Sequence, residues 1–135
     1  MATVVVNVGG GSGGKQLISA AILAQNTLRH LQWGTGAGTA AAADTGLFST
    51  TGTTEARTAG TLSQVTGAQT NSKIRVTGTI TAVGTPTIKE VGVFDAAGTG
   101  SPPTGGNMFI HADHGATTLA AGDSIAYQID MDFTP

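Results

Sequence analysis

Charged side chains are scarce in this sequence. Lysine and arginine number six and aspartate and glutamate eight, which is 10% of the 135 residues, against about 25% in ordinary soluble domains. A free monomer depends on charged side chains to stay dispersed in solution. We therefore expect neighbouring molecules to cover much of this surface, which favours a structural component of an assembly over an enzyme.

Other absences exclude further classes of protein. The chain has no cysteine, so a disulfide framework and thiolate metal sites are excluded. A net charge of −2 provides no basic surface for nucleic acid and no polybasic membrane anchor. No apolar run reaches the length of a membrane span, and the first residues lack a signal-peptide profile. We expect no nucleic-acid or membrane partner, and assembly in a cytoplasm.

The first part of the chain predicts an arm followed by a helix. Residues 3–8 are β-prone, and residues 9–14 (GGGSGG) form a flexible spacer. Residues 15–26 have the spacing of a short amphipathic helix that stops at Asn26. We predict an N-terminal arm over residues 1–14 and a single domain over residues 15–135.

The remaining chain has the period of two that is typical of β-strands. The clearest example is the last strand, in which apolar residues alternate with polar ones at Ile125, Tyr127, Ile129, Met131 and Phe133. The predicted strands are 28–33, 55–65, 74–82, 88–94, 107–111 and 125–133. One apolar and one polar face per strand predicts a mainly all-β fold, an antiparallel β-sandwich that is jelly-roll-like.

Two short motifs suggest sites but have simpler interpretations. Gly9 to Lys15 matches the spacing of a phosphate-binding loop, yet Gln16 replaces the magnesium-binding hydroxyl and the chain has too few helices for such a fold. The sequence His111-Ala112-Asp113-His114 resembles a metal-binding cluster, but we favour a polar strand end leading into a turn at Gly115.

No catalytic constellation is evident either. Asp130 and Asp132 alternate on the polar face of the last strand, whereas an acid pair would have to converge across a cleft. There is no G-x-S-x-G elbow and no cysteine nucleophile. We therefore predict no catalytic residues, no metal site and no cofactor.

Four segments together resemble a family of small structural proteins of tailed bacteriophages. They are LQWGTGAGTAAAADTGL (31–47) with the following EART (55–58), IRVTGTITA (74–82), IKEVGVFDAAGTG with the later GGNMF (88–109), and LAAGDSIAYQIDMDF (119–133). They occur in the family's order and cover the chain from residue 31 to the end, while the first thirty residues have no counterpart.

The resemblance implies a β-sandwich module of the virion. We expect a capsid decoration (cement) protein on the outer surface of the head, assembled in the host cytoplasm. Its expected partners are the major capsid protein and further copies of itself, as a homotrimer or else a dimer. The alternatives are a low-copy tail or fibre-attachment protein and a carbohydrate-binding module, although few aromatic residues are available for sugar binding.

The arm and the helix are the candidate contact regions, because an extended arm can add a strand to a partner's sheet. The candidate residues are Thr3, Val4, Val5, Val6, Val8, Leu17, Ile18, Ala21 and Ile22. The alternative for the helix is that its apolar face covers the domain's own core.

Overall fold

Two antiparallel β-sheets form the body of the protein. The computed structural model describes residues 13–67 and 70–133. Helix α1 (Gly13–Gln25) is followed by β1 (His30–Gly34), β2 (Thr58–Ala59), β3 (Thr61–Val65), β4 (Lys73–Thr81), β5 (Thr87–Phe94), β6 (Met108–Thr118) and β7 (Ser124–Asp132). Sheet A has the order β2-β1-β5-β6 and sheet B the order β3-β4-β7. The predicted β-sandwich is confirmed. The jelly roll is not, because the described residues form seven strands and a jelly roll has eight.

The hydrophobic core lies between the two sheets. Alternation along β4 predicts its inward face, and Ile74 and Val76 are indeed buried while Lys73 and Arg75 lie on the outer face. The buried apolar residues of the two sheets are Leu31, Trp33, Ile88, Val91, Val93, Leu62, Ile74, Val76 and Ile80. The inward residues of β7 are only half-buried, so the core is thinner at that edge.

On one side of the sandwich the chain passes directly from sheet A to sheet B, through β2 and β3, which are also end strands of their sheets. The prediction of a single strand over 55–65 was wrong, because β2 pairs with β1 in sheet A and β3 pairs with β4 in sheet B. The chain crosses between the sheets at Gly60, whose N–H donates to the Arg29 carbonyl at 2.7 Å. A Cβ at Gly60 would lie 2.7 Å from the Thr77 carbonyl oxygen. The crossing therefore requires a residue without a side chain.

The opposite side of the sandwich is open. β6 and β7 are the last strands of their sheets, and no described strand pairs with their outer edges. The prediction that β6 ends near His111, before a turn at Gly115, was wrong, because β6 continues through Gly115 to Thr118. An edge strand can present polar residues on both faces, so no apolar alternation marked the rest of this strand.

Helix α1 begins at Gly13, two residues before its predicted start, and ends where predicted. The first turn of a helix makes few internal hydrogen bonds, so glycine is tolerated there. Asn26 has a φ of 55°, and its N–H donates to the Ile22 carbonyl at 3.1 Å, as at a left-handed helix end. Buried Ser19 donates to the Asn71 carbonyl at 2.6 Å, and α1 packs against β3 and β4.

Candidate functional site

A buried carboxylate holds a long loop against the outer face of sheet A. Glu90, on β5, is fully buried and accepts backbone N–H groups of the 35–57 loop. Gly36 and Ser49 donate to Oε1 at 3.1 and 3.0 Å, and Phe48 donates to Oε2 at 2.9 Å. Because a carboxylate is a strong acceptor of N–H groups, this one side chain holds two separate parts of the loop, residue 36 and residues 48–49.

His111 links the same carboxylate to a second acid. Its Nε2 lies 2.8 Å from Oε2 of Glu90 and its Nδ1 lies 2.7 Å from Oδ2 of Asp44. The Phe48 ring covers the imidazole with its centroid 4.7 Å away. The Ala41 N–H and the His111 imidazole hold the pKa of Asp44 below its ordinary value. The cluster therefore anchors the middle of the 35–57 loop to β5 and β6.

His111 has no free ring nitrogen for acid–base chemistry. Both nitrogens of His111 are bonded to carboxylates, and its side chain is only 4% exposed. A general base needs a free nitrogen within reach of a ligand. The cluster is therefore a largely buried hydrogen-bond network that holds a loop.

The metal-like residues of β6 do not converge. Asp113 accepts the Ala40 N–H at 2.8 Å, and His114 lies 3.2 Å from the Tyr127 hydroxyl, whereas His111 faces the 35–57 loop. Residues 13–67 and 70–133 hold no group of three or more His, Asp or Glu side chains placed to bind a metal ion together.

A buried guanidinium holds the second long loop on sheet A. Arg57 donates Nε to Oε1 of Gln32 at 2.7 Å and one Nη to the carbonyls of Ala96 and Gly105 at 2.8 Å each. Its guanidinium carbon lies 3.6 Å from the centroid of the Phe94 ring. Arg57 thereby attaches the 95–107 loop, and burial lowers its pKa although Asp95 opposes the shift.

The predicted contact face of α1 is largely uncovered. Leu17 is 70% exposed and Ile18 36% exposed, and Ala21 is exposed as well. Ile22, the fourth predicted residue, packs partly on the core together with Leu23. We call the exposed row Leu17, Ile18 and Ala21 the helix stripe. The helix thus covers the core with one side and presents an apolar row with another.

The other predicted contact residues lie outside the described residues. These are Thr3, Val4, Val5, Val6 and Val8 of the arm, as well as most of the phosphate-loop-like segment that begins at Gly9. The arm stays a prediction.

Two clefts mark the open side of the sandwich. The first, of about 410 Å³, lies between Met108–His111 of β6, Asp130 and Met131 of β7, and residues 40–42 and 44 of the 35–57 loop. The second, of about 500 Å³, lies between His114 and Thr117 of β6 and residues 124–128 of β7. Residues of both edge strands line each of the two clefts. We call the groove between β6 (Met108–Thr118) and β7 (Ser124–Asp132) the seam.

Sequence reasoning missed the two residues that hold the loops. Glu90 and Arg57 lie within the segments that resemble the phage family, but no role was predicted for either residue. The feature that could have identified Glu90 is a single acid inside an otherwise mostly apolar strand, which must find donors if it is buried. No comparable feature singles out Arg57, because its partners are carbonyl groups of a distant loop.

The comparisons with known proteins add no relative. No known protein family, curated protein or solved structure matches the chain. In the described part of the chain, no helical segment combines the length and the apolar character that crossing a membrane requires. The geometry of the sandwich and its uncovered surfaces therefore carry the functional argument.

Proposed function

We propose that this protein is a capsid decoration protein of a tailed bacteriophage. It binds the outer surface of the head and bridges neighbouring major capsid subunits, and it does so as a homotrimer. Its task is mechanical, so it requires no catalytic residue and no cofactor.

The observation that carries this proposal is the helix stripe. Leu17, at 70% exposure, lies in the second turn of a helix that directly follows the predicted arm. Exposed apolar rows of this kind are typical of surfaces that bind another protein. The predicted arm and the helix stripe together form a contact region near the N-terminus. The β-sandwich is the folded domain that carries it.

The scarcity of charge also supports a role in a close-packed shell. Desolvating charged side chains opposes association, and the centres of protein interfaces are depleted of them. The outward residues of β4 include Thr77, Thr79 and Thr81, which are polar but uncharged and therefore cost less to cover. Many copies of such a contact on one shell add up through multivalency.

The first test is the number of copies per particle. The protein is quantified against the major capsid protein in particles purified from its source. Hundreds of copies in a fixed ratio to the shell protein are the expected result. A few copies per particle would instead indicate the tail or fibre-attachment role, and absence from particles would overturn the proposal.

The second test measures binding to particles that lack the protein. Leu17→Asp places a charge in the helix stripe and should reduce binding at least tenfold, because a charge in a desolvated apolar contact costs well over about 1.4 kcal/mol. Gln16→Asp is the matched control, since residue 16 is exposed and already polar. Equal binding by the two variants would remove the helix stripe from the interface.

A further inference from the structure

The seam is a place where the sandwich can accept another strand. β7 pairs with β4 along its whole length, from Ser124 to Asp132, and no described strand pairs with its other edge. β6, eleven residues long, also leaves its outer edge unpaired among the described strands. Long unpaired edges of this kind are templates for strand addition.

Along β7, the side chains of the inward face are apolar and half-buried, whereas those of the outward face are mostly exposed. An added strand must match both faces. Ile125, Tyr127 and Ile129 point inward but are only half-buried, whereas Ala126 and Gln128 between them are exposed. Burial raises the pKa of Tyr127. A strand that continues sheet B past β7 would therefore need an apolar inward face and could have a mixed outward face.

Residues 3–8 have this pattern. In an extended segment Val4, Val6 and Val8 share one face, and Thr3, Val5 and Asn7 share the other. Three β-branched side chains would extend the half-buried row of β7 into the clefts of the seam. The segment contains no proline and no charged residue, so it can pair along its length.

The position of α1 favours the arm of a neighbouring molecule. α1 contacts β3 and β4 but, among the described elements, does not contact β7. An arm attached to α1 therefore starts across sheet B from the seam of its own sandwich. Since β7 is an end strand of sheet B and no described strand pairs with its outer edge, a second copy can supply the added strand. The low charge of the surface favours the same arrangement.

We infer that residues 3–8 of one copy add a strand to the free edge of β7 in a second copy. Val4, Val6 and Val8 face the interior, and the added strand fills the clefts between β6 and β7. Because the donated arm and the accepting seam are different surfaces, the contact is heterologous, and the rotation between successive copies decides whether it closes into a ring. This inference concerns the protein in solution and does not rest on the proposed function.

Cysteine cross-linking tests which copy donates the arm, since the natural chain has no cysteine to interfere. One preparation carries Asn7→Cys on a chain with a size tag. The second carries one outward cysteine on β7: Ser124→Cys, Ala126→Cys or Gln128→Cys. The two preparations are mixed, unfolded together, refolded and oxidised. We expect a mixed disulfide dimer with at least one of the three β7 positions. A strand whose three inward valines lie beside the half-buried row Ile125, Tyr127 and Ile129 places Asn7 beside Ala126 or Gln128.

The matched control places the acceptor cysteine on β3, the other end strand of sheet B. Thr61→Cys lies at an exposed position of β3 and should give no mixed dimer above the collision background. A single chain with both Asn7→Cys and the reactive β7 cysteine shows whether the bridge forms within one copy. A bridge formed only within one copy overturns the inference, and so does the lack of a bridge at all three β7 positions.

Assembly mass provides a second readout. Val6→Asp puts a charge on the inward face of the donated strand and should shift the protein from oligomer to monomer in sedimentation velocity. Val5→Asp, one residue away on the outward face, should leave the oligomer intact. Far-ultraviolet circular dichroism checks that both variants are folded. An intact oligomer in Val6→Asp, or a parent chain that is monomeric, contradicts the inference whether or not the protein occurs in virions.

Discussion

The outer face of sheet A is covered by two long loops, whereas the outer face of sheet B meets solvent. On sheet A, the loops are held by buried Glu90 and buried Arg57. On the outer face of sheet B, Lys73 and Arg75 of β4 pair with partly exposed Asp130 of β7, and Asp132 lies on the same face. The charged side chains on sheet A are therefore buried and hydrogen-bonded, whereas those on sheet B are partly exposed to solvent.

This difference shows where a sparse set of charges stabilises the fold. An ion pair in solvent contributes between about 0 and 1 kcal/mol, while a buried charge with satisfied hydrogen bonds is costly to disrupt. We therefore expect changes on sheet A to affect stability far more than changes on sheet B.

Glu90→Gln should have the largest effect. The substitution removes one acceptor oxygen and leaves N–H groups of the 35–57 loop and His111 without their partner, which should lower the free energy of unfolding by about 3 kcal/mol. Urea unfolding measures the loss, and hydrogen exchange should rise first at the amides of Gly36, Phe48 and Ser49. Protection of these three amides equal to that in the parent chain would refute the anchoring role of Glu90.

Arg57→Met should rank second. It keeps much of the apolar contact with Phe94 but leaves the Ala96 and Gly105 carbonyls and Gln32 without their donor, so we expect a loss of about 2 kcal/mol. Hydrogen exchange should increase in the 95–107 loop and not in the 35–57 loop. Arg57→Lys separates charge from geometry, because lysine lacks the planar set of donors. If lysine restores parental stability, charge alone explains the role of Arg57.

Acidification should have the third-largest effect, a loss of stability that comes from the loops on the outer face of sheet A. Hydrogen bonds hold the pKa values of Asp44 and Asp95 below their ordinary values in the folded protein. A carboxyl group with a lowered folded pKa adds stability above its unfolded pKa of about 3.9, and this is lost as pH falls through the folded pKa. The urea midpoint should therefore stay level down to about pH 5 and decline below about pH 4.

Asp44→Asn sharpens the acid prediction. The variant should begin with a lower midpoint at neutral pH and decline less on acidification, because one of the responsible groups is gone. The pairing of Asp130 with Arg75 on sheet B also lowers a pKa and contributes to the decline in both proteins. A midpoint that rises as the pH falls from 5 to 3 would contradict the assigned sign.

Asp130→Asn should have the smallest effect. Arg75 donates Nε and Nη2 to the Asp130 carboxylate at 2.7 and 2.9 Å, but solvent reaches both partners. We expect a loss below about 1 kcal/mol that shrinks further in 0.5 M salt. Urea unfolding at two salt concentrations measures it. A loss as large as that of Glu90→Gln would remove the distinction between the two faces.

The strands with a strict apolar alternation could be predicted from the sequence. β4 and β7 lie within a residue or two of the predicted 74–82 and 125–133, and the inward residues of β4 are buried as expected. Alternation is visible whenever one face of a strand meets the core and the other meets solvent. For residues 55–65 the prediction was wrong, because the alternation of apolar and polar residues does not indicate where a strand leaves one sheet and enters the other.

The loop anchors could not be predicted, because their partners are distant in sequence. Glu90 accepts hydrogen bonds from backbone N–H groups more than forty positions away. Nearly every residue type has a backbone N–H, so the sequence does not identify these donors. His111 was interpreted as a polar strand end, since nothing local connects it to Asp44, 67 positions away. Helix α1 was predicted because its spacing is local, but that spacing does not tell which of its apolar residues pack on the core. The role of the helix stripe as a contact surface stays a prediction.

Gly60 has a consequence for the alignment of the whole sandwich. The residues on either side of it belong to different sheets, since Ala59 is opposite His30 and Thr61 is opposite Thr77. A slip of β3 by one residue would turn Leu62 out of the core and also displace β2 from its partner. The two sheets therefore share a single register, and an error in one cannot persist without unpairing the other.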